Sequence, residues 1–174
     1  VELVVVAYRS RPQIEGLLAG LPADLPLVVV DNSDGADGLG ELIRARPSGR
    51  YLLGGGNGFA SAANKGAQTS EATYLLFVNP DVRPTAADLA ALVDDVAGDA
   101  SLSASAGTLV EADGRSQIGV GGWEPTPLRC AVHAMGLHKR FPRLGVYARP
   151  AIGETARVDW VSGGCMAVRR ATFL

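Results

Sequence analysis

The sequence lacks several features that would each indicate a class of protein. No apolar run reaches the ~18 residues that a membrane-spanning helix needs. With 16 basic and 18 acidic residues, the chain has a formal net charge of -2 and no overall positive charge to attract nucleic acid. Its two cysteines, Cys130 and Cys165, lie far apart without the spacing of a disulfide framework. We therefore expect a protein of a reducing compartment without a nucleic-acid partner.

Familiar catalytic motifs are missing too. No serine stands in a nucleophile-elbow sequence and neither histidine has a matching partner pair, which argues against a hydrolytic triad. The glycine-rich stretch "GGGNGFASAANKG" lacks the G-x-G-x-x-G spacing, because Gly56 and Gly58 are followed by Ser61. It also follows the third predicted strand rather than the first, and no Gly-Lys-Ser/Thr sequence is present. A nicotinamide-dependent dehydrogenase and a phosphate-loop protein are therefore disfavoured.

Short stretches rich in valine and leucine alternate with segments whose apolar residues recur at helical spacing. Two of these helices have the spacing of a capping box at their start, Ser10 with Gln13 and Thr85 with Asp88. The alternation predicts an α/β protein with a mostly parallel central sheet and helices on both faces. The predicted strands are residues 2–6, 26–31, 50–53, 73–78 and 103–110, with one or two more within 156–173, hinged at Gly163–Gly164.

Polar residues follow four of the predicted strands where they end. Ligands bind at the carboxyl ends of parallel strands, so we expect these segments to meet at one edge of the sheet. Asp31 and Asp81 both end apolar strands. A strand-end acid serves either as a turn cap or as a ligand, but Pro80 cannot continue a central ladder, and an acid beyond it suits a divalent cation. The four segments are Ala7–Ser10, Asp31–Ser33, Gly54–Asn57 and Asn79–Asp81.

From Glu111 to about Val158 the periodicity fades, which is typical of a functional or mobile stretch. Cys130, His133 and His138 in this stretch form half of a zinc-site pattern, but no fourth ligand lies nearby, and zinc is disfavoured. A basic cluster in the same stretch has two interpretations, a contact for an anionic lipid head or phosphate and an ordinary solvated loop. The cluster consists of His138, Lys139, Arg140 and Arg143.

Five segments, in order along almost the whole chain, resemble one family. These are "VVVAYRS", "VVVDNSDG", "GGNGFASAANKGA", "LLFVNPDV" and "VDWVSGGCMAVRRATF". They are similar to the two nucleotide-binding strands, the N-x-G-F-A-x-x-x-N-x-G signature, the metal-binding D-x-D region and the acceptor-side stretch of glycosyltransferase family 2. The signature resembles the rhamnosyltransferase-like branch in particular. The resemblance implies a GT-A (Rossmann-like) α/β/α sandwich and an inverting sugar transfer from a nucleoside-diphosphate sugar.

The resemblance also implies a metal site. Asp81 would hold Mg²⁺ or Mn²⁺ against the diphosphate of the donor, where the cation neutralises charge on the leaving nucleoside diphosphate. The family's commoner motif has two acids, whereas this sequence has Asn79 in the first position. The metal would therefore depend mainly on Asp81.

The implied donor site extends to the base and the sugar. Asp31 would accept a hydrogen bond from the N3–H of a uracil or thymine ring. The other donor residues implied by the resemblance are Ala7, Tyr8 and Arg9 around the base and ribose, and Asn57, Gly58 and Asn64 beside the nucleotide or the sugar.

On the acceptor side, the resemblance implies Trp160, Ser162 and Gly163. An inverting transfer also needs a general base. In this family that base is a carboxylate beyond the paired arginines, and the sequence stops at Leu174 before such a stretch, so no base is named; Asp159 matches no family base. Because the chain opens without Met or a signal-peptide pattern and stops in "RRATFL", we expect a fragment or an incompletely ordered protein.

These inferences predict one structural domain in which residues 1–110 bind the donor and residues 111–174 begin the acceptor side. The favoured donor is dTDP-rhamnose, with UDP-galactofuranose and UDP-glucose as alternatives. The expected acceptor is a cell-wall or surface polysaccharide or a lipid-linked glycan. The expected location is the cytoplasm, with peripheral contact at the inner face of the plasma membrane as a further hypothesis. A non-catalytic or truncated nucleotide-sugar-binding domain is the alternative function, and the oligomeric state is left open.

Overall fold

A computed structural model describes residues 1–111, 113–148, 150–151 and 153–174. Within these residues six strands form the main sheet, in the order β3-β2-β1-β4-β8-β5. Two further strands, β6 and β7, pair with each other as a small antiparallel sheet. The strands are β1 (Glu2–Ala7), β2 (Leu27–Asp31), β3 (Gly49–Leu53), β4 (Tyr74–Val78), β5 (Ala104–Ala106), β6 (Gly121–Gly122), β7 (Trp160–Val161) and β8 (Cys165–Arg169).

Helices connect the strands of the main sheet, as the alternating sequence pattern predicts. Their buried positions are the apolar residues at helical spacing, such as Ile14, Leu17 and Leu18 in the first helix. The helices are α1 (Arg11–Ala19), α2 (Leu39–Arg44), α3 (Gly58–Thr69), α4 (Ala86–Gly98), α5 (Pro127–Ala134) and α6 (Arg170–Phe173), with 3-10 helices at Leu137–Lys139 and Pro142–Leu144.

Four neighbouring strands of the main sheet run in parallel. β1 pairs with β2 on one side and with β4 on the other, and β2 pairs with β3. β8 then joins β4 in the antiparallel direction, with Phe77 opposite Met166. The carboxyl ends of β1 to β4 therefore lie at one edge, which confirms the predicted clustering of the strand-end segments.

Both faces of the sheet are buried. Val4, Val28 and Val30 point to one face, where the small residues Ala62 and Ala63 allow α3 to pack closely. Leu3, Val5 and Val29 point to the other face by strand alternation and are fully buried as well. A central parallel sheet needs this double cover because both of its faces are apolar.

The two predicted capping boxes have opposite outcomes. The Thr85 hydroxyl accepts from the Asp88 backbone N–H while the Asp88 carboxylate accepts from the Thr85 N–H, so this box is confirmed. Ser10 makes no side-chain cap, and its hydroxyl instead accepts from the Tyr8 N–H at 3.2 Å. The box predicted at Ser10 is wrong, because the preceding turn bends back and takes the hydroxyl.

The predicted fifth strand is shorter than expected, since 103–110 contains strand structure only at Ala104–Ala106. The stretch within 156–173 does contain two strands, β7 and β8, separated at Gly163–Gly164. The irregular stretch also holds a helix that was not predicted, α5, which begins at a Thr126 cap followed by Pro127.

The chain divides into two compact units, residues 1–105 with 163–174, and residues 106–162. The assignment of 1–110 to the donor and 111–174 to the acceptor stays a prediction. Among the described residues there is no helix long and apolar enough to cross a bilayer.

Candidate functional site

The backbone joins the strand ends of the main sheet into one continuous edge. The Asn32 N–H donates to the Ala7 carbonyl at 2.8 Å, and the Gly54 N–H donates to the Asp31 carbonyl at 2.7 Å. These bonds continue the parallel ladders just beyond β1, β2 and β3. The loops that carry the predicted donor residues therefore start from fixed positions.

Asp31 lies at the end of β2 and is fully buried. Its Oδ1 accepts from the backbone N–H of Ser33 at 2.8 Å and from the Ser33 hydroxyl. Its Oδ2 accepts from the Gly35 N–H at 3.0 Å and from the Tyr51 hydroxyl at 2.6 Å. A carboxylate offers about four acceptor positions. In this arrangement all of them are occupied by groups of the protein.

These hydrogen bonds determine the ionisation states of Asp31 and Tyr51. Burial raises the pKa of Asp31, but the hydrogen bonds from Ser33, Tyr51 and Gly35 lower it by more, so that the net pKa is below the ordinary 3.8. Burial, and then the hydrogen bond and negative charge of Asp31, raise the pKa of Tyr51. Asp31 is therefore an ionised carboxylate held by neutral donors.

Asp81 lies in the turn that directly follows β4, and it is exposed. The Val82 N–H donates to the Asn79 carbonyl at 3.1 Å, which closes a turn with Pro80 and Asp81 at its centre. The Arg83 guanidinium donates to the Pro80 carbonyl at 2.8 Å and holds this turn from outside. Within the described residues the Asp81 side chain has no hydrogen bond or ion pair. Its carboxylate is therefore available to a ligand.

The β1–α1 turn carries two predicted donor residues, Tyr8 and Arg9, and the backbone of Arg9 has an unusual conformation. Tyr8 is exposed, and the guanidinium of Arg9 lies 5.7 Å from the centroid of its ring. Arg9 has a φ of 48°, a left-handed value uncommon outside glycine, and such values cluster at functional sites. Ala7, the last residue of β1, is buried. Tyr8 and Arg9 are thus presented to solvent, while Ala7 belongs to the core.

The glycine-rich turn before α3 brings backbone to the same edge. Gly56 and Gly58 have φ values of 70° and 84°, which glycine adopts without strain. Asn57, between them, is exposed and does not cap the helix with its side chain. The Asn32 amide donates to the Gly58 carbonyl at 3.1 Å and ties this turn to the end of β2. Asn64 is an exposed residue of α3.

The residues predicted for the acceptor side fall in both units. Within the smaller unit, the Trp160 indole donates to the Trp123 carbonyl at 3.1 Å, and the Ser162 N–H donates to the Val120 carbonyl at 2.8 Å. Asp159 accepts from the Glu124 N–H at 2.8 Å. Within the larger unit, a Cβ at Gly163 would lie 3.4 Å from the Phe59 ring.

The described residues contain no group of three or more His, Cys, Asp or Glu side chains that could hold a metal. Asp81 alone still fits a hard divalent cation. Mg²⁺ in particular is commonly bound by one or two carboxylates together with substrate phosphates and water. An exposed carboxylate that has no partner among the described residues is the kind of metal ligand that such a site requires.

Sequence reasoning missed the residues that hold the β2–α2 loop. Tyr51 reaches Asp31 from β3, and the Arg11 guanidinium donates to the Asp37 and Gly38 carbonyls at 3.2 and 3.1 Å. The sequence D-N-S-D-G signals part of this arrangement, because an aspartate commonly accepts from the backbone N–H two residues on. No sequence signal points to Tyr51 or Arg11.

Comparison with solved structures supports the fold. A mycobacterial protein matches with a TM-score of 0.56 at 16% identity, over 98% of this chain and 53% of its own. Glucosyl-3-phosphoglycerate synthase from Mycobacterium tuberculosis, in complex with UDP, matches with a TM-score of 0.53 at 13% identity, over 98% and 56%. The mannosyltransferase PcManGT from Pyrobaculum calidifontis, in complex with GDP-Man and Mn²⁺, matches with a TM-score of 0.51 at 22% identity, over 63% and 35%.

These likenesses confirm the predicted α/β architecture of the GT-A type with its mostly parallel sheet. The chain spans about half the length of the first two proteins and about a third of the mannosyltransferase. No curated protein matches the sequence. The family model described as glycosyl transferase family 2 matches residues 3–126, which is most of the chain and contains the strand-end edge. The chain therefore belongs to glycosyl transferase family 2.

Proposed function

We propose that the chain is the donor-binding part of a glycosyltransferase that uses a nucleoside-diphosphate sugar. The observation that carries the proposal is the exposed carboxylate of Asp81, which has no partner among the described residues and lies at the sheet edge with the Asp31 loop and the glycine-rich turn. A metal-bound diphosphate needs such a carboxylate, and a nucleotide needs loops whose backbone it can approach closely. The similar structures with UDP and with GDP-Man and Mn²⁺ hold the same class of ligand.

In this proposal Asp81 would supply a carboxylate oxygen to Mg²⁺ or Mn²⁺, which when bound would offset charge on the diphosphate leaving group. Asn79 stands half-buried at the start of the same turn, and its side-chain amide would be the second polar group offered to the cation. Asn57, Gly58 and Asn64 provide the exposed polar groups and backbone on the side of α3. An inverting transfer follows from the family resemblance, and no residue of the described chain is assigned as its base.

The uracil or thymine ring of the nucleotide would lie against Tyr8 and Arg9, with Asp31 beneath it. Direct acceptance of the N3–H of uracil or thymine by Asp31 stays a prediction. It requires that the base replace one of the present donors, for example the Ser33 hydroxyl, because the carboxylate is saturated. Rotation of one hydroxyl would free that position.

The rhamnosyltransferase-like signature "NGFASAANKG" favours dTDP-rhamnose as the donor, with UDP-galactofuranose and UDP-glucose as alternatives. Trp160, Ser162 and Gly163 are proposed to face the sugar and the acceptor. The proposed acceptor is a cell-wall or surface polysaccharide or a lipid-linked glycan, met at the cytoplasmic side of the membrane.

Isothermal titration calorimetry with dTDP and UDP tests the donor site. We expect binding in Mg²⁺ or Mn²⁺ that is lost on addition of EDTA, and the preferred nucleotide narrows the donor. Asp81→Asn should abolish the metal-dependent part of the binding. Asp94→Asn, which removes an equally exposed carboxylate from α4, is the matched control and should bind as the wild type does.

Absence of binding to either nucleotide under every condition would contradict the donor site, and the family relationship would then describe only ancestry and fold. Binding without sugar transfer by the longer protein would favour the alternative, a non-catalytic nucleotide-sugar-binding domain. The substitution of Asn79 for an acid in the metal motif is the feature that keeps this alternative open.

A further inference from the structure

The segment from α5 through the two 3-10 helices carries its apolar side chains on the outside. α5 contains no buried residue. Large apolar side chains along the segment are between 45% and 74% exposed, whereas the apolar face of a core-forming helix is buried. These side chains are Leu128, Met135, Leu137, Phe141 and Leu144.

The internal contacts of the same segment are made by polar and aromatic side chains. The Arg129 guanidinium donates to the Arg143 and Gly145 carbonyls at 2.8 and 3.0 Å and so ties α5 to the second 3-10 helix. The rings of His133 and His138 stack with centroids 4.0 Å apart and tie α5 to the first. The outward position of the apolar residues is therefore part of an ordered arrangement.

The charge of the segment has one sign. Lys139, Arg140 and Arg143 are all exposed and lie between the exposed apolar residues. From 125 to 153 the sequence contains no aspartate or glutamate and five lysine or arginine residues, although the chain as a whole has a net charge of -2. The segment lies beyond residues 3–126, which the family model matches.

We propose that this basic apolar surface, residues 128–144, binds bilayers that contain anionic lipid. Basic side chains beside exposed leucine and phenylalanine are the combination that holds a peripheral segment in a lipid interface, where the charges meet anionic head groups and the apolar groups enter the acyl boundary. A nucleic acid, or a protein surface that is acidic throughout, would satisfy the charges but leave the exposed apolar groups in water. The proposal goes beyond donor binding and stands on residues that the donor site does not include.

The test is co-sedimentation of the whole chain with vesicles of two compositions, phosphatidylcholine alone and equal parts phosphatidylcholine and phosphatidylglycerol. We expect binding only to the anionic vesicles, and weaker binding at high salt, where the charges are screened. This arm needs no variant, so it stands even if a variant fails to fold. Equal binding to both compositions, or binding to neither, would overturn the proposal.

Variants separate the two contributions. Each neutralised basic residue should weaken binding about five-fold, so Lys139→Gln/Arg140→Gln should weaken it about 25-fold. Phe141→Ser should weaken it about ten-fold through the lost apolar insertion. The matched controls are Arg115→Gln and Ile118→Ser, exposed residues of the same unit outside the surface, which should bind as the wild type does.

Two results would assign the surface to another role. Equal losses in the controls and in the surface variants would show that only the overall charge and hydrophobicity of the chain matter. Sedimentation velocity that shows a dimer dissociated by Phe141→Ser, without vesicle binding, would make the surface a contact between two copies. Circular dichroism of each variant verifies that it is folded, and nucleotide titration of Phe141→Ser should be unchanged.

Discussion

Asp31 ends β2 and Asp81 lies in the turn after β4, the two strands that flank β1, yet the surroundings of the two acids are opposite. Asp31 is buried and accepts four hydrogen bonds from Ser33, Gly35 and Tyr51. Asp81 is exposed and, in the described part of the chain, has no partner. The hydrogen bonds of Asp31 are those of a residue that stabilises the fold. The carboxylate of Asp81, by contrast, is available to bind a ligand.

The difference comes from the residues on either side of each acid. The loop after Asp31 curls back, so that the backbone N–H groups two and four residues on reach its carboxylate. Asp81 instead lies with Pro80 at the centre of a turn that is closed by the bond from the Val82 N–H to the Asn79 carbonyl. An acid at the end of a strand is therefore a candidate ligand only when neighbouring groups do not already donate hydrogen bonds to its carboxylate.

The largest expected effect on stability is that of Asp31→Ala. The substitution leaves the buried donors of Ser33, Gly35 and Tyr51 without an acceptor, which should lower the free energy of unfolding by about 3–5 kcal/mol. Urea denaturation followed by circular dichroism measures the change. Asp94→Ala is the control, and a loss as small as in this exposed control would show that the Asp31 network does not stabilise the fold.

A smaller loss is expected for Tyr51→Phe. It removes one hydroxyl donor to a buried carboxylate and keeps the ring in place, so the free energy of unfolding should fall by about 2 kcal/mol. The same urea experiment applies. Tyr74→Phe is the matched control because the Tyr74 hydroxyl makes no hydrogen bond among the described residues, and equal losses in the two variants would contradict the role given to the Tyr51–Asp31 bond.

The stabilisation by Asp31 should depend on pH in one direction. Its pKa in the folded protein lies below the ordinary value of 3.8, because the donors around it outweigh the effect of burial. The stabilisation is therefore fully present above that ordinary value and is lost as the pH falls through the folded pKa. The stability difference between the wild type and Asp31→Asn should shrink on acidification below about pH 4. A difference that stays constant down to pH 2 would contradict this assignment.

The smallest effect on stability is expected at Asp81. Because the side chain is exposed and has no partner in the part of the chain that the structure describes, Asp81→Ala should change the free energy of unfolding by no more than about 0.5 kcal/mol. The same variant should lose metal-dependent nucleotide binding in calorimetry. A marked destabilisation, or full retention of the metal-dependent binding, would remove the contrast between the two acids.

Much of the larger unit could be predicted from the sequence because its signals are local. Continuous valine and leucine runs gave the parallel strands, and the Thr85–Asp88 spacing gave a capping box that is present. The same spacing failed at Ser10, where Pro12 stands in the first turn and the Arg9 backbone is left-handed, so that the hydroxyl turns to Tyr8. A capping spacing predicts a cap only when the preceding backbone is free to extend.

The candidate site was predictable in position and less so in bonding. The βα alternation predicts parallel strands whose carboxyl ends share one edge, so the edge could be located. The Tyr51–Asp31 bond joins residues 20 apart in sequence and depends on the register of β2 against β3, which no local pattern gives. α5 was missed although Thr126–Pro127 is a helix-start signal, because the neighbouring glycines and prolines masked the helical spacing of so short a helix.

The path of the chain through the two units determines where its length and sequence can vary without disturbing the main sheet. The chain leaves the larger unit after residue 105 and re-enters it at 163, and the strands on either side of this excursion, β5 and β8, are neighbours in one sheet. The smaller unit is thus an insertion between adjacent strands, a position where length and sequence can vary without altering the pairing of the strands that carry Asp31 and Asp81.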